Sequence, residues 1–234
     1  MKATQFFRQL WRINGVLIFL VALLAVLVLG CIAIQFLDFG RHAAKQVVRV
    51  DQQTQEKAEP PILGAFQTVS GTPFMRAALT FGDEYARSSF SSSAGSYSTR
   101  NYLFLNPETL EGRWLFPDNK QLIVDSDELR ENLQPKDSDT PKFRTTAFFY
   151  KMIDTDTNGD KQLTPEDKLS IAYSRPDGRE YTTVLKGVDR ILGSASIDNG
   201  RKHVVVYEIE KKWCTAVISL STFEIERKGE LPTR

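Results

Sequence analysis

Residues 101–125 read NYLFLNPETLEGRWLFPDNKQLIVD, and their punctuation decides the fold class. Three short runs rich in strand-forming residues, Tyr102 to Leu105, Trp114 to Phe116 and Leu122 to Val124, are separated by Asn106-Pro107 and by Pro117-Asp118-Asn119. Aromatic and β-branched side chains suit a pleated surface, whereas Pro, Asn and Asp favour turns. The stretch therefore predicts strand, turn, strand, turn, strand.

The same grammar continues outward. In KLSIAYSRPDGREYTTVL (168–185), Leu169, Ile171 and Tyr173 alternate before the turn Arg175-Pro176-Asp177-Gly178. HVVVYEIE and WCTAVISL predict two further strands, the last ending near Thr222-Phe223. TTAFFYKMI, before residue 154, is also rich in strand formers. The region 62–234 thus reads as a mainly β domain of antiparallel sheets. Two regions break its rhythm. Residues 83–100 are Ser-rich and predict a long exposed loop, while 126–142, SDELRENLQPKDSDTPK, opens with helix-favouring residues and closes in prolines and acids. A short helix and a linker are expected there, with a possible sub-division of the domain.

Residues 13–37 carry no charge and are polar only at Asn14 and Gln35. At about 1.5 Å per residue they cross a hydrocarbon layer of about 30 Å as one helix. The expected order is a short cytoplasmic head (1–12), a transmembrane helix (13–37), a juxtamembrane stalk (38–61) stopped by Pro60-Pro61, and the β-rich domain (62–234). Lys2, Arg8 and Arg12 precede the span and Arg41, Lys45 and Arg49 follow it, so charge alone does not orient it. A short head before a single span matches an uncleaved signal anchor. The expectation is a single-pass protein of a bacterial inner membrane with its C-terminal domain outside the cytoplasm. Val28 to Cys31, VLGC, also resembles a lipoprotein lipobox, which would be cut before Cys31; either route tethers the domain to the membrane.

With 30 Lys+Arg against 29 Asp+Glu there is no basic field for a polyanion, so nucleic acid is not expected as a partner. The only two cysteines, Cys31 and Cys214, lie far apart, and no disulfide framework is expected.

The strand-turn-strand units SRPDGREYTTVL and SIDNGRKHVVVYEIE resemble blades of TolB-like β-propellers. Two such units do not close a propeller of about four to eight blades. The resemblance leaves open a small sandwich, an open barrel, or blade-like sheets completed by a partner chain. Ordinary hairpins with favourable turns carry the same pattern.

Residues 154–167, DTDTNGDKQLTPED, alternate oxygen-bearing side chains. Calcium takes six to eight oxygens, and a twelve-residue loop presents them from positions one, three, five, seven, nine and twelve, with a sharp turn at six. A register starting at Asp154 places Gly159 at six but Pro165 at twelve, which supplies no side-chain oxygen. A register starting at Asp156 gives Asp156, Asn158, Asp160, the Gln162 carbonyl, Thr164 and Asp167, with apolar Leu163 at eight and Lys161 at six. The second is preferred, because a missing carboxylate removes a ligand whereas a non-Gly turn residue costs about 1 kcal/mol. In this register the loop resembles EF-hand calcium loops, and especially the dockerin type, in which Asp replaces the closing Glu. The resemblance implies calcium bound with modest affinity by these six residues. Thr164-Pro165-Glu166-Asp167 has the form of a helix start, but strand-like sequence on both sides predicts a calcium loop joining two strands.

For catalysis the pool is small. His42 lies on the stalk; His203 heads a strand-like run, where a structural role is expected; Cys214 reads as buried and inert. Pairs such as Asp125/Asp127 and Glu108/Glu111 have the composition of a glycosidase dyad, but turn and surface charge explains them equally. No phosphate loop, dinucleotide fingerprint, zinc spacing or serine elbow is present. The expectation is a non-catalytic envelope protein whose calcium-stabilised domain binds another envelope protein. The alternatives are an envelope hydrolase with a structural calcium site, or an accessory subunit of a membrane complex.

Overall fold

Strand β8 (Phe143–Ile153) lies at the centre of the domain, and its residues 147–150 are all buried. Alternation explains how both faces of one strand are hidden. Ala147 and Phe149 point into one apolar layer, while Phe148, Tyr150 and Met152 point into another. The computed structural model describes residues 48–49, 60–82, 97–133 and 142–232.

Around β8 the strands form antiparallel leaves. Leaf A contains β2 (Ile62–Leu63), β3 (Gln67–Thr68), β4 (Met75–Gly82), β5 (Tyr97–Asn106) and β6 (Glu111–Trp114). Its order is β6-β5-β4, with β2 and β3 both on the far edge of β4. Leaf B contains β7 (Leu122–Asn132), β8, β10 (Leu169–Ser174) and β11 (Thr182–Val188), in chain order. Leaf C is a separate four-stranded meander of β12 (Arg190–Ile197), β13 (Lys202–Ile209), β14 (Lys212–Ser219) and β15 (Ile225–Glu230). Leaves A and B are formally one nine-stranded sheet, but β5 and β7 share a single register pair, Thr99 with Ile123. The sheet therefore folds over at that pair into two blade-like halves.

Between A and B, Phe104, Phe148 and Tyr150 pack in one cluster, with Phe104 and Phe148 centroids 5.6 Å apart. The Arg76 guanidinium lies 3.9 Å from the Phe148 ring centroid and donates to Ser126 Oγ at 2.8 Å, so its charge is stacked and hydrogen-bonded. Between B and C, Phe149, Ile171 and Tyr173 share a layer with Val205, Tyr207, Ala216 and Ile218. Arg175 locks that seam by donating to the carbonyls of Leu220 (2.8 Å) and Ser221 (2.6 Å) while lying over Phe223. Burial of aromatic side chains, typically about 1.5–3 kcal/mol each, makes these two layers the main source of cohesion.

Two expectations are corrected. Residues 126–132 are not a helix but the second half of β7. Their helix propensity is overridden by pairing with β8, Ser126 opposite Tyr150 through Asn132 opposite Phe143, and by ion pairs across that ladder from Lys151 to Asp125 and from Arg144 to Glu131. Tyr97 to Arg100, expected at the end of the Ser-rich loop, instead open β5. Among the described residues no helix is long and apolar enough to cross a membrane. The head, the 13–37 span, Cys31, His42 and nearly all of the stalk lie outside the described residues.

Candidate metal centre

The loop 154–168 joins β8 to β10, so strands flank it on both sides as the sequence predicts. Within it, Gln162–Leu163 forms the short strand β9, paired antiparallel with β1 (Val48–Arg49). Leu163 is buried against Leu122 and Ile153 and pins the loop to the end of leaf B.

Side-chain oxygens hold the rest. Asp156 accepts Gly159 N–H at 2.7 Å on one oxygen and Lys161 N–H at 2.8 Å on the other. Asn158 Oδ1 accepts Asp160 N–H at 2.9 Å, and Asp160 Oδ1 accepts Gln162 N–H at 2.8 Å, two consecutive Asx turns. Asp167 is buried. It accepts Thr157 N–H (2.7 Å), Thr157 Oγ1 (3.0 Å) and Asn158 N–H (3.2 Å) on one oxygen, and Thr164 N–H (2.9 Å) on the other. Burial pushes the Asp167 carboxyl up, but the donors from Thr164, Thr157 and Asn158 outweigh it and leave the group below its ordinary value. Thr164 Oγ1 accepts Glu166 N–H while Asp167 reaches back to Thr164 N–H, a reciprocal cap on a single turn. β10 begins at Leu169, so no exit helix follows.

Both registers have a left-handed residue at position six, since Gly159 has φ 81° and Lys161 φ 63°. Position eight separates them, because Leu163 is buried and Lys161 exposed. The register beginning at Asp156 is thus the one whose apolar position faces the core. Asp154 stands outside it, accepting from Ser170 Oγ at 3.0 Å.

Of the six expected ligands, Thr164 and Asp167 are buried, Asp156 and Gln162 half-buried, and Asn158 and Asp160 exposed. The loop brings them along one turn but not onto one point. Among the described residues no three His, Cys, Asp or Glu side chains converge as a metal-binding group. In this conformation the carboxylates of Asp156 and Asp167 are satisfied by N–H groups on both oxygens. Both Asp156 oxygens and Asp167 Oδ2 accept one N–H each and keep a second lone pair, whereas Asp167 Oδ1 already accepts three donors, so the oxygen chemistry suits calcium but the conformation does not gather the six ligands.

The catalytic candidates are dispersed. His203 is buried, bonded through Nδ1 to Tyr173 OH at 2.9 Å, and packed edge-on against Phe149. Burial, aided by the Lys151 charge, pushes its pKa down to about 4, so it is neutral at pH 7. Asp125 and Asp127 both face Lys151, at 2.6 and 3.9 Å. Glu108 and Glu111 flank an exposed turn, and Cys214 is buried and unpaired.

Sequence reasoning missed a cleft of about 830 Å³ where the ends of all three leaves meet. Its cations each have an acidic neighbour: Arg144 with Glu131, Arg175 with Glu180, Arg179 with Asp177, Arg201 with Asp198 and Lys202 with Glu226. Only the fold assembles it, and no contiguous motif signals it.

No protein-family model matches this chain, and comparison with curated proteins returns no match. Among solved structures, the β-propeller domain of the Trilobed protease from Pyrococcus furiosus is similar at 12% identity and a TM-score of 0.37, over 75% of this chain and 45% of that one. The chain thus spans less than half the length of that structure.

Proposed function

We propose that this chain is a membrane-anchored, non-catalytic envelope protein whose extracytoplasmic β domain binds a protein partner through a sheet face. The observation that carries the reading is the outer face of leaf C. Cross-strand rows Ala195-Val204-Val217 and Gly193-Val206-Thr215 form an uncharged centre, rimmed by Arg227 at the β15 end of the first row and by the pairs Arg190–Glu208 and Lys202–Glu226. An apolar centre with a charged rim is the anatomy of an interface. The hydrolase alternative gains nothing from the cleft, where every acid named has a cationic neighbour and His203 does not take part in the lining.

In the same reading the loop 156–167 takes one calcium ion through Asp156, Asn158, Asp160, the Gln162 carbonyl, Thr164 and Asp167. The buried Leu163 and the left-handed Lys161 support that register. Calcium would supply charge neutralisation and cross-linking of the turn; the chain's own residues already set its course.

The test is purification of the full chain from membranes in mild detergent, comparing the wild type with Val206→Glu. Loss of a co-purifying protein from the variant is expected, with circular dichroism unchanged. Identical co-purification profiles would sink the binding reading.

A further inference from the structure

We propose that the edge of β9 is the receiving half of a latch for the stalk segment: β1 docks on it while carboxylates of the loop 156–167 hold the β9 backbone, and parts from it when they let go. What the latch does for the protein rests on the membrane-anchored reading above; that it exists rests on the strand register alone.

β9 lies inside the loop, and among the described residues it pairs with β1 only, Val48 opposite Leu163 and Arg49 opposite Gln162. Its backbone is held from one side. Asp160 Oδ1 accepts the Gln162 N–H at 2.8 Å, and Asp167 Oδ2 accepts the Thr164 N–H at 2.9 Å. Successive N–H groups of an extended chain point to opposite edges. Gln162 and Thr164 therefore turn their N–H groups into the loop, and Leu163 between them presents its own polar groups to the other edge, where Val48 is its register partner. The loop's carboxylates thus decide which way the receiving edge faces.

The two halves are unequally fixed. The Leu163 side chain is buried against Leu122 and Ile153, so β9 belongs to the end of leaf B whether or not β1 is docked. β1 is two residues long, and a strand pair that short is marginal in water. Docking is therefore reversible, and its balance follows how well the β9 edge is presented. Asp167 is buried and ties Thr157, Asn158 and Thr164 together, so it is the permanent side of the edge. Asp160 is exposed and, besides the Gln162 N–H, accepts Asn158 Nδ2 at 3.3 Å. It is the side that can let go without undoing the loop.

Release lengthens the tether. With β1 docked, residues 38–47 separate the apolar span from the domain; with β1 free, residues 38–61 do. Fully extended, these segments reach about 35 Å and about 85 Å. The latch sets how far from the membrane the domain can search for its partner.

The experiment uses the full chain in detergent and in chelator, which keeps the outcome separate from the calcium assignment. Cys31→Ser leaves Cys214, which is buried, as the remaining native thiol. Because Gln162 turns its N–H away from β1, its pair with Arg49 is the closer, non-hydrogen-bonded kind, with Cα atoms about 4.5 Å apart, inside the range a disulfide spans. Arg49→Cys with Gln162→Cys is oxidised mildly, and the remaining thiols are counted by gel shift with a maleimide polymer. The disulfide is expected to form about fivefold faster than in the off-register pair Lys57→Cys with Gln162→Cys. Adding Asp160→Ala should slow it about fivefold, and Asp160→Asn, which keeps Oδ1, should restore it, with circular dichroism the same throughout. Equal rates in the two cysteine pairs overturn the docking. Trapping at the parent rate with Asp160→Ala overturns the control by the loop. Release of the chain from membranes by alkaline carbonate overturns the anchored reading, and the tether with it, while the trapping result stands.

Discussion

Tyr173 on β10 and His203 on β13 share a buried hydrogen bond, 2.9 Å between the phenol oxygen and Nδ1, that ties leaf B to leaf C. A neutral His203 carries one ring proton, so the bond is made either by the Nδ1–H tautomer donating to the phenol oxygen or by Tyr173 donating to Nδ1 of the Nε2–H tautomer.

That pair makes stability pH-dependent in a stated direction. The folded pKa of His203 is lowered from 6.5 to about 4, so the unfolded chain takes up the proton first. Stability is full above about pH 6.5 and falls as pH drops toward 4, by at most about 1.4 kcal/mol per unit from this group. Urea midpoints measured from pH 7.5 to 4.5 should show the slope, and His203→Gln should flatten it. A variant that titrates as steeply as wild type would remove His203 from the account.

In the loop, Asp160 and Asp167 should behave differently. Asp167→Ala strips acceptors from Thr157, Asn158 and Thr164 N–H groups and is expected to cost about 2–4 kcal/mol even in chelator. Asp160→Ala removes one exposed turn acceptor and should cost under about 1 kcal/mol in chelator. Wild type should gain melting temperature in millimolar calcium, and Asp160→Ala should lose that gain. Superimposable wild-type melting curves with calcium and with chelator would end the calcium assignment.

Lys161 holds a left-handed backbone, φ 63°, at the turn where glycine is favoured. Lys161→Gly should therefore be neutral or stabilising by up to about 1 kcal/mol and should tighten calcium binding, measured by terbium luminescence displacement. Weaker calcium competition in the variant would argue that position six is not the turn of the binding loop.

Two glycines in the same backbone region separate strain from packing. Gly187 (φ 71°) has open space where a Cβ would go, so Gly187→Ala should cost about 1 kcal/mol. A Cβ on Gly200 (φ 81°) would run into the Arg130 carbonyl oxygen and come within 2.7 Å of Glu131 Cα, so Gly200→Ala should cost several times as much. Chemical denaturation of both variants checks the ratio; equal losses would show that the contact of leaf C with β7 is soft.

Strands with clear punctuation were legible in the sequence. β5, β6, β10, β13 and β14 follow from turn residues and apolar runs around them. β12 reads Arg-Ile-Leu-Gly-Ser-Ala-Ser-Ile, small and polar through its middle and mostly exposed, and β15 reads Ile-Glu-Arg-Lys-Gly-Glu, so neither shows a hydrophobic period. They are strands because β13 and β14 offer edges to pair with. Glu, Leu and Arg in 128–131 favour a helix locally, and only the ladder to β8 reverses that. The metal loop was legible because its residues are contiguous. The cleft was not, because Thr72, Arg144, Arg175 and Arg201 come together only when the leaves do.

Burying β8 on both faces has a cost that falls on the unfolded chain. From Thr145 to Ile153 the strand reads TTAFFYKMI, with Lys151 as its sole charge and no proline or glycine. Such a segment is a template for cross-β stacking whenever it is solvent-exposed. Leaf B alone would leave it uncovered on both sides, so safe folding requires leaves A and C to close over it promptly. The strand that organises the native domain is thus also its main aggregation hazard, and chaperone dependence or inclusion-body formation should track variants that delay either leaf from docking.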